Sequence, residues 1–141
     1  VQVNGGSGSD EFVLDFSRIN ESDYQIDGLG GSDTVKVAGS YALNADMNFA
    51  NNASFDNIER IDLSSMVLTG DDSNELMITG DLVNSWNNNG TDGGSISLKL
   101  TADQLQNVGY TDSSGAYDDF VTAESSYNLQ NGATLTIESI A

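Results

Sequence analysis

The chain has 141 residues, 22 of them acidic and 4 basic, for a formal net charge of −18, and it lacks cysteine, histidine and proline. That length fits a single domain over residues 1–141, the 38% of hydrophobic residues argues against wholesale disorder, and charge of this sign makes nucleic acid and anionic membranes poor partners. Without histidine or cysteine there is no Ser-His-Asp triad, thiol nucleophile or ordinary zinc site, and no pair of acids stands out as a glycosidase pair, so the chain reads as a non-enzyme.

The first element is the run Gly5-Gly6-Ser7-Gly8-Ser9-Asp10-Glu11-Phe12-Val13, a glycine-rich turn that leads into a strand expected over Glu11 to Phe16. It matches the nonapeptide Gly-Gly-x-Gly-x-Asp-x-apolar-x at every defined position. A second copy, Gly28-Leu29-Gly30-Gly31-Ser32-Asp33-Thr34-Val35, departs from it by carrying Leu29 in place of the second glycine, and leads into a strand at Thr34 to Ala38. The stretch from Tyr41 to Asn57 leaves helix and loop open. Period-2 alternation predicts further strands at Ile58 to Leu63, Glu75 to Thr79, Ser95 to Leu100, Tyr117 to Ala123, Ser125 to Leu129 and Ala133 to Ser139. One short helix is expected at Ala102 to Val108, capped by Thr101.

The last hairpin allows a statement of register. A two-residue turn at Asn131-Gly132 would send the apolar residues of the two strands to opposite faces. A three-residue loop of Gln130, Asn131 and Gly132, with Gly132 left-handed, instead aligns Leu129 with Ala133, Tyr127 with Leu135 and Ser125 with Ile137. Alternating strands with polar turns make the expected fold all-β, β-sandwich-like with calcium-binding loops and at most one or two short helices.

Calcium follows from the chemistry of the loops. Glycines let the backbone turn tightly and aim carbonyl oxygens at one point, and the following aspartate adds a hard anionic oxygen. The candidate metal ligands are Asn4, Gly6, Gly8 and Asp10 in the first loop and Asp27, Gly30 and Asp33 in the second. Because the two key aspartates are 23 residues apart rather than in tandem nonapeptides, a continuous roll is not expected. Other segments or water should complete each ion, with Asp71, Asp72, Asp81, Asp118 and Asp119 as the candidates. Such sites are weak and fill where calcium is plentiful, which points outside the cell. The opening Val1-Gln2-Val3 carries no leader and no stretch nears the ~20 apolar residues of a membrane span, so the chain reads as a segment of a longer one with no direct membrane insertion.

The two calcium loops, together with Phe55-Asp56-Asn57-Ile58-Glu59-Arg60-Ile61-Asp62-Leu63 and Asn74-Glu75-Leu76-Met77-Ile78-Thr79-Gly80-Asp81, resemble segments of the large RTX adhesins of Gram-negative bacteria. The resemblance covers about half the chain. It implies type I secretion, folding by extracellular calcium at the bacterial cell surface, neighbouring adhesin domains, and a part in cell adhesion and biofilms. Within that family the likeness is to the calcium-dependent peptide-binding domain, which captures the free C-terminus of a partner peptide. The candidate ligand surface is Trp86, Asn87, Asn88, Asn89, Thr91 and Asp92, with Tyr110 and Tyr117 second. A lectin-like module binding glycan and a calcium-stiffened structural spacer are the alternatives.

Overall fold

The computed structural model describes residues 2–15, 25–43, 46–49, 54–70, 75–120 and 126–139. Short apolar alternations set its strands: β1 (Gln2–Asn4), β2 (Glu11–Asp15), β3 (Gln25–Asp27), β4 (Thr34–Leu43), β5 (Met47–Asn48), β6 (Ser54–Asp56), β7 (Arg60–Gly70), β8 (Leu76–Ile78), β9 (Ser95–Lys99), β10 (Val108–Thr111), β11 (Tyr117–Asp119), β12 (Ser126–Asn128) and β13 (Thr134–Ser139), with one α-helix, α1 (Gly80–Asn87). They form three sheets, in the orders β1-β3-β6, β11-β10-β8-β5 and β12-β13-β9-β7-β4-β2.

Chain order against sheet order gives the architecture. From β3 to β8 the chain passes from the first sheet to the six-stranded sheet to the third, then returns to the first one strand further along, and β1 and β2 stack in parallel on β3 and β4, so the described strands stack as the coils of a three-faced, mostly parallel solenoid. Helix α1 takes the place of a strand beside β6, where Trp86 O accepts the Ile58 N–H at 3.0 Å. Among the described strands, only the β10–β11 and β12–β13 pairings are antiparallel. The fold is therefore mainly β, as expected, but its sheets are mixed and mostly parallel where a sandwich of hairpins would be antiparallel.

Parallel stacking in register places like residues above one another. Val35, Ile61 and Leu98 form one inward column of the six-stranded sheet, and Ile26 lies over Phe55 in the first sheet. All five are fully buried or nearly so, and each such side chain contributes roughly 1.5–3 kcal/mol by leaving water. Strand β7 carries one extra residue relative to β4 between Asp62 and Ser65. Asp62 Oδ1 holds that bulge by accepting from Ser64 N at 2.9 Å and Ser64 Oγ at 2.6 Å.

The hairpin register is as the burial argument requires. Tyr127 pairs with Leu135, Leu129 N donates to Ala133 O at 2.8 Å, and Gly132 is left-handed with φ +71°. The helix expected at Ala102 to Val108 is instead a 3₁₀ turn over Ala102–Gln106 with Thr101 as its cap, and Val108 begins β10. Buried Gln104 explains the tighter turn, because its Nε2 reaches the Leu63 and Met66 carbonyls of β7. The open stretch from Tyr41 to Asn57 contains the end of β4, β5 and β6. Helix α1, where no helix was expected, carries Trp86 and Asn87 of the candidate ligand surface. Phe16, Asp71, Asp72, Asn74 and 121–125 lie outside the described residues.

Candidate metal centre

Parallel pairing of β2 with β4 and of β4 with β7 forces the turns that precede these strands to stack. Glu11 pairs with Thr34 and Thr34 with Arg60, so Asp10, Asp33 and Glu59 stand one above another at the strand entrances. The 23-residue separation of Asp10 and Asp33 is thus one coil, and it brings the two loops into direct contact instead of keeping them apart. This corrects the expectation from sequence. A repeat need not be tandem to stack when an intervening segment completes the coil.

Asp33 is the hub of the stack. It is 0% exposed, and its Oδ1 accepts from Asp10 N at 2.8 Å. Its own N donates to Glu59 Oε2 at 2.7 Å, while its carbonyl accepts from Glu59 N and Arg60 N at 3.1 Å each. Further contacts close the stack: Gly5 N donates to Asp27 O at 2.8 Å, Gly28 N to Asp56 O at 2.9 Å and Gly30 N to Gly6 O at 3.2 Å. Asp33 Oδ2, by contrast, is buried with no hydrogen-bond partner.

Each turn folds its aspartate back against its first glycine. A Cβ on Gly5 would lie 2.6 Å from Asp10 Oδ2 and 2.8 Å from Gly28 O, and one on Gly28 would collide with Asp33 Oδ2 and Asn57 O. Thus in both rungs a carboxylate oxygen and a carbonyl oxygen of the next coil converge beside a bare Cα. In the first rung Gly6 N already donates to Asp10 Oδ2 at 2.7 Å; in the second the carboxylate oxygen is buried without a donor, and two acceptors brought together away from water call for a cation or a proton donor. Among the described residues no three acidic side chains converge at metal distance, so a cation here would rely mainly on backbone oxygens. The donor set, all hard oxygen with a buried unpartnered carboxylate oxygen, fits calcium. Asn4 and Asp27 extend the stack along β1 and β3, in register with Asp56.

The remaining predicted ligands do not join this centre. Asp81 lies in the first turn of α1 and accepts from Asn131 Nδ2 at 2.6 Å, tying the helix to the β12–β13 turn. Asp118 and Asp119 belong to β11 in another sheet. Asp71 and Asp72 lie outside the described residues.

The predicted ligand surface is divided. Trp86 is 1% exposed, packed edge-on to Phe49 at 5.6 Å, and Tyr110 clusters with Phe120 and Tyr127, so both are core residues and not anchors for a partner. The helical signal that puts Trp86 inside is Thr79, whose side chain accepts from Leu82 N, followed by Val83 and Trp86 on one face. Asn87 and Asn88 spend their amides on backbone: Asn87 Nδ2 on Ile58 O, Asn88 Nδ2 on Thr91 O and Asp92 O. Asn89, Thr91 and Asp92 are exposed. Tyr117 is half-buried and donates to Glu75 Oε2 at 2.7 Å, with burial and that bond both holding its hydroxyl protonated.

Several acids are shifted by their surroundings. Burial and then the charge of Asp27 push Asp56 up, and burial, followed by Asp119 and Asp46, does the same for Glu75 against the lowering effect of Tyr117. Burial also pushes Asp62 up, but the Ser64 hydrogen bonds and the charges of Lys99 and Lys36 outweigh it and leave it low. On the β10–β11 hairpin a hydrogen bond from Asp118, with Ser114 next, draws Asp112 down to about 2, and the same contact raises Asp118.

These shifts set a pH dependence. An acid whose folded pKa is raised binds protons more readily folded than unfolded, so its contribution is present in acid and is lost as pH rises through the folded value. Asp56, Glu75 and Asp118 act in this sense, and the net charge of −18 adds to it by self-repulsion. In chelator the melting temperature should therefore be higher at about pH 5 than at about pH 7. A melting series showing the reverse order would contradict these assignments.

No protein-family model, curated protein or solved structure was found to match the chain. Among the described residues no helix is long and apolar enough to cross a membrane.

Proposed function

We propose that this chain is an extracellular, calcium-stiffened β-solenoid module, a structural segment of an adhesin-like surface protein in which divalent cations at the stacked turns hold an acidic coil rigid. One observation carries this reading: Asp33, fully buried at the junction of three coils, has an oxygen with no donor. The sequence supports it through the complete nonapeptide from Gly5 to Val13 and the likeness to RTX adhesins. With Trp86 and Tyr110 in the core, a spacer role is better supported than ligand capture, and no catalytic role is proposed.

Capture of a peptide C-terminus is a second reading, favoured by the exposed loop of Asn89, Thr91 and Asp92, which Asn88 braces from below. On this reading the loop recognises a carboxylate or, alternatively, a glycan hydroxyl pair on a target surface.

Both readings are tested by melting the protein in chelator and in calcium. A site with a dissociation constant of about 10⁻⁴ to 10⁻³ M adds about 1.4–2.7 kcal/mol at ~10 mM calcium, a rise of roughly 4–8 °C for a domain of this size. Identical melting in the two conditions removes the calcium reading. Peptides with free and amidated C-termini, and a glycan array run in calcium, then separate the roles: the spacer predicts no binding, and the capture reading fails if free and amidated peptides bind alike.

A further inference from the structure

The two rungs of the turn stack look equivalent by motif but differ in their hydrogen bonding. In the first, Gly6 N donates to Asp10 Oδ2 at 2.7 Å, so the carboxylate folded against Gly5 already has a donor. In the second, the position of Gly6 is held by Leu29. Leu29 is left-handed at φ +62° and donates its N–H to Asp27 Oδ1 at 3.0 Å instead. The nearby donors are engaged elsewhere: Asn57 Nδ2 on Asp27 Oδ1 at 2.8 Å, and Glu59 N and Arg60 N on Asp33 O. Asp33 Oδ2 therefore faces the Asn57 carbonyl across the bare Cα of Gly28, with no proton between two acceptors.

We propose that the chain's principal cation seat is the junction of its second and third turns, formed by the Asp33 carboxylate and the Asn57 carbonyl, and not the complete nonapeptide of the first turn. The third turn, Asn57-Ile58-Glu59, has no glycine and no nonapeptide character, so motif matching does not find it. Asn57 is nevertheless left-handed, at φ +54°. The adjacent Asp27 and Asp56, paired in register, add negative potential at the same place. A buried carboxylate whose second oxygen has no donor and no counter-charge is unfavourable, and hard oxygen acceptors drawn from backbone and carboxylate match calcium better than magnesium, which demands near-ideal octahedral geometry and retains water.

This inference rests on the calcium-stiffened reading above, and its test separates the two. The wild-type chain, Asp33→Asn and Asp10→Asn are each titrated with calcium by calorimetry and melted in chelator and in calcium. An amide at position 33 supplies the missing N–H, so Asp33→Asn should stay folded and melt in chelator no lower than wild type. It should also lose the calcium-induced rise and bind calcium at least tenfold more weakly. Asp10→Asn should keep both the rise and the binding. A full calcium response in Asp33→Asn overturns the assignment, as does loss of response in Asp10→Asn. A wild-type chain that ignores calcium overturns the broader reading instead.

Discussion

Trp86→Ala should cost about 3–5 kcal/mol, the range for deleting a buried tryptophan from a core that cannot fully collapse. The side chain fills the space between the helix and the first sheet, edge-on to Phe49 at 5.6 Å and tilted against Phe55 at 6.1 Å. Its backbone carbonyl also accepts from Ile58 N, so the ring sits where α1 locks onto the third coil. Against a total stability of about 5–15 kcal/mol, such a loss removes a large share of folding free energy. Urea denaturation followed by circular dichroism measures it, with Val13→Ala, at a position 61% exposed, as a control expected within about 0.5 kcal/mol of wild type. A loss below about 1 kcal/mol would take Trp86 out of the core and return it to the candidate ligand surface.

The same residue marks the boundary of what the sequence discloses. Inward alternation on β9 and β13, the left-handed Gly132 and the pairing of Tyr127 with Leu135 follow from local rules, because a one-residue slip would expose a whole apolar face. The glycine turns and their aspartates are equally legible, since their chemistry lies within nine residues. The coil is not. Its first rungs are 23 and 26 residues apart, so no fixed period appears, and β1, β3 and β6 span three residues each, too short to show alternation. Asparagines around Trp86 read as loop formers, although Thr79 as a cap with Val83 and Trp86 behind it spells a helix. The orphan oxygen of Asp33 depends on the Leu29 N–H turning to Asp27 and on the burial of Asp33 between Asp10 and Asn57 of the adjoining coils, and the second of these is not written in the local sequence.

Gly28→Ala should be among the most damaging single-methyl additions in the chain, while Gly6→Ala, one position further along the same motif in the preceding coil, should be nearly silent. A Cβ on Gly28 would drive into the Asn57 carbonyl and the Asp33 carboxylate, one of them backbone and the other held by Asp10 N. A Cβ on Gly6 would meet nothing within 4 Å. Neither glycine has a positive φ, so the contrast is one of space and not of backbone strain. Overpacking of a rigid site costs typically 1–3 kcal/mol, and here the displaced groups are also those that face the proposed cation. The expected result is therefore a loss near or above about 3 kcal/mol for Gly28→Ala, with the calcium-induced rise in melting temperature abolished. For Gly6→Ala the change should stay within about 0.5 kcal/mol, with the calcium response retained. Equal behaviour of the two variants would mean that the second and third turns do not stack as closely as Gly28 requires, and the account of Asp33 as the hub of three coils would fail with it.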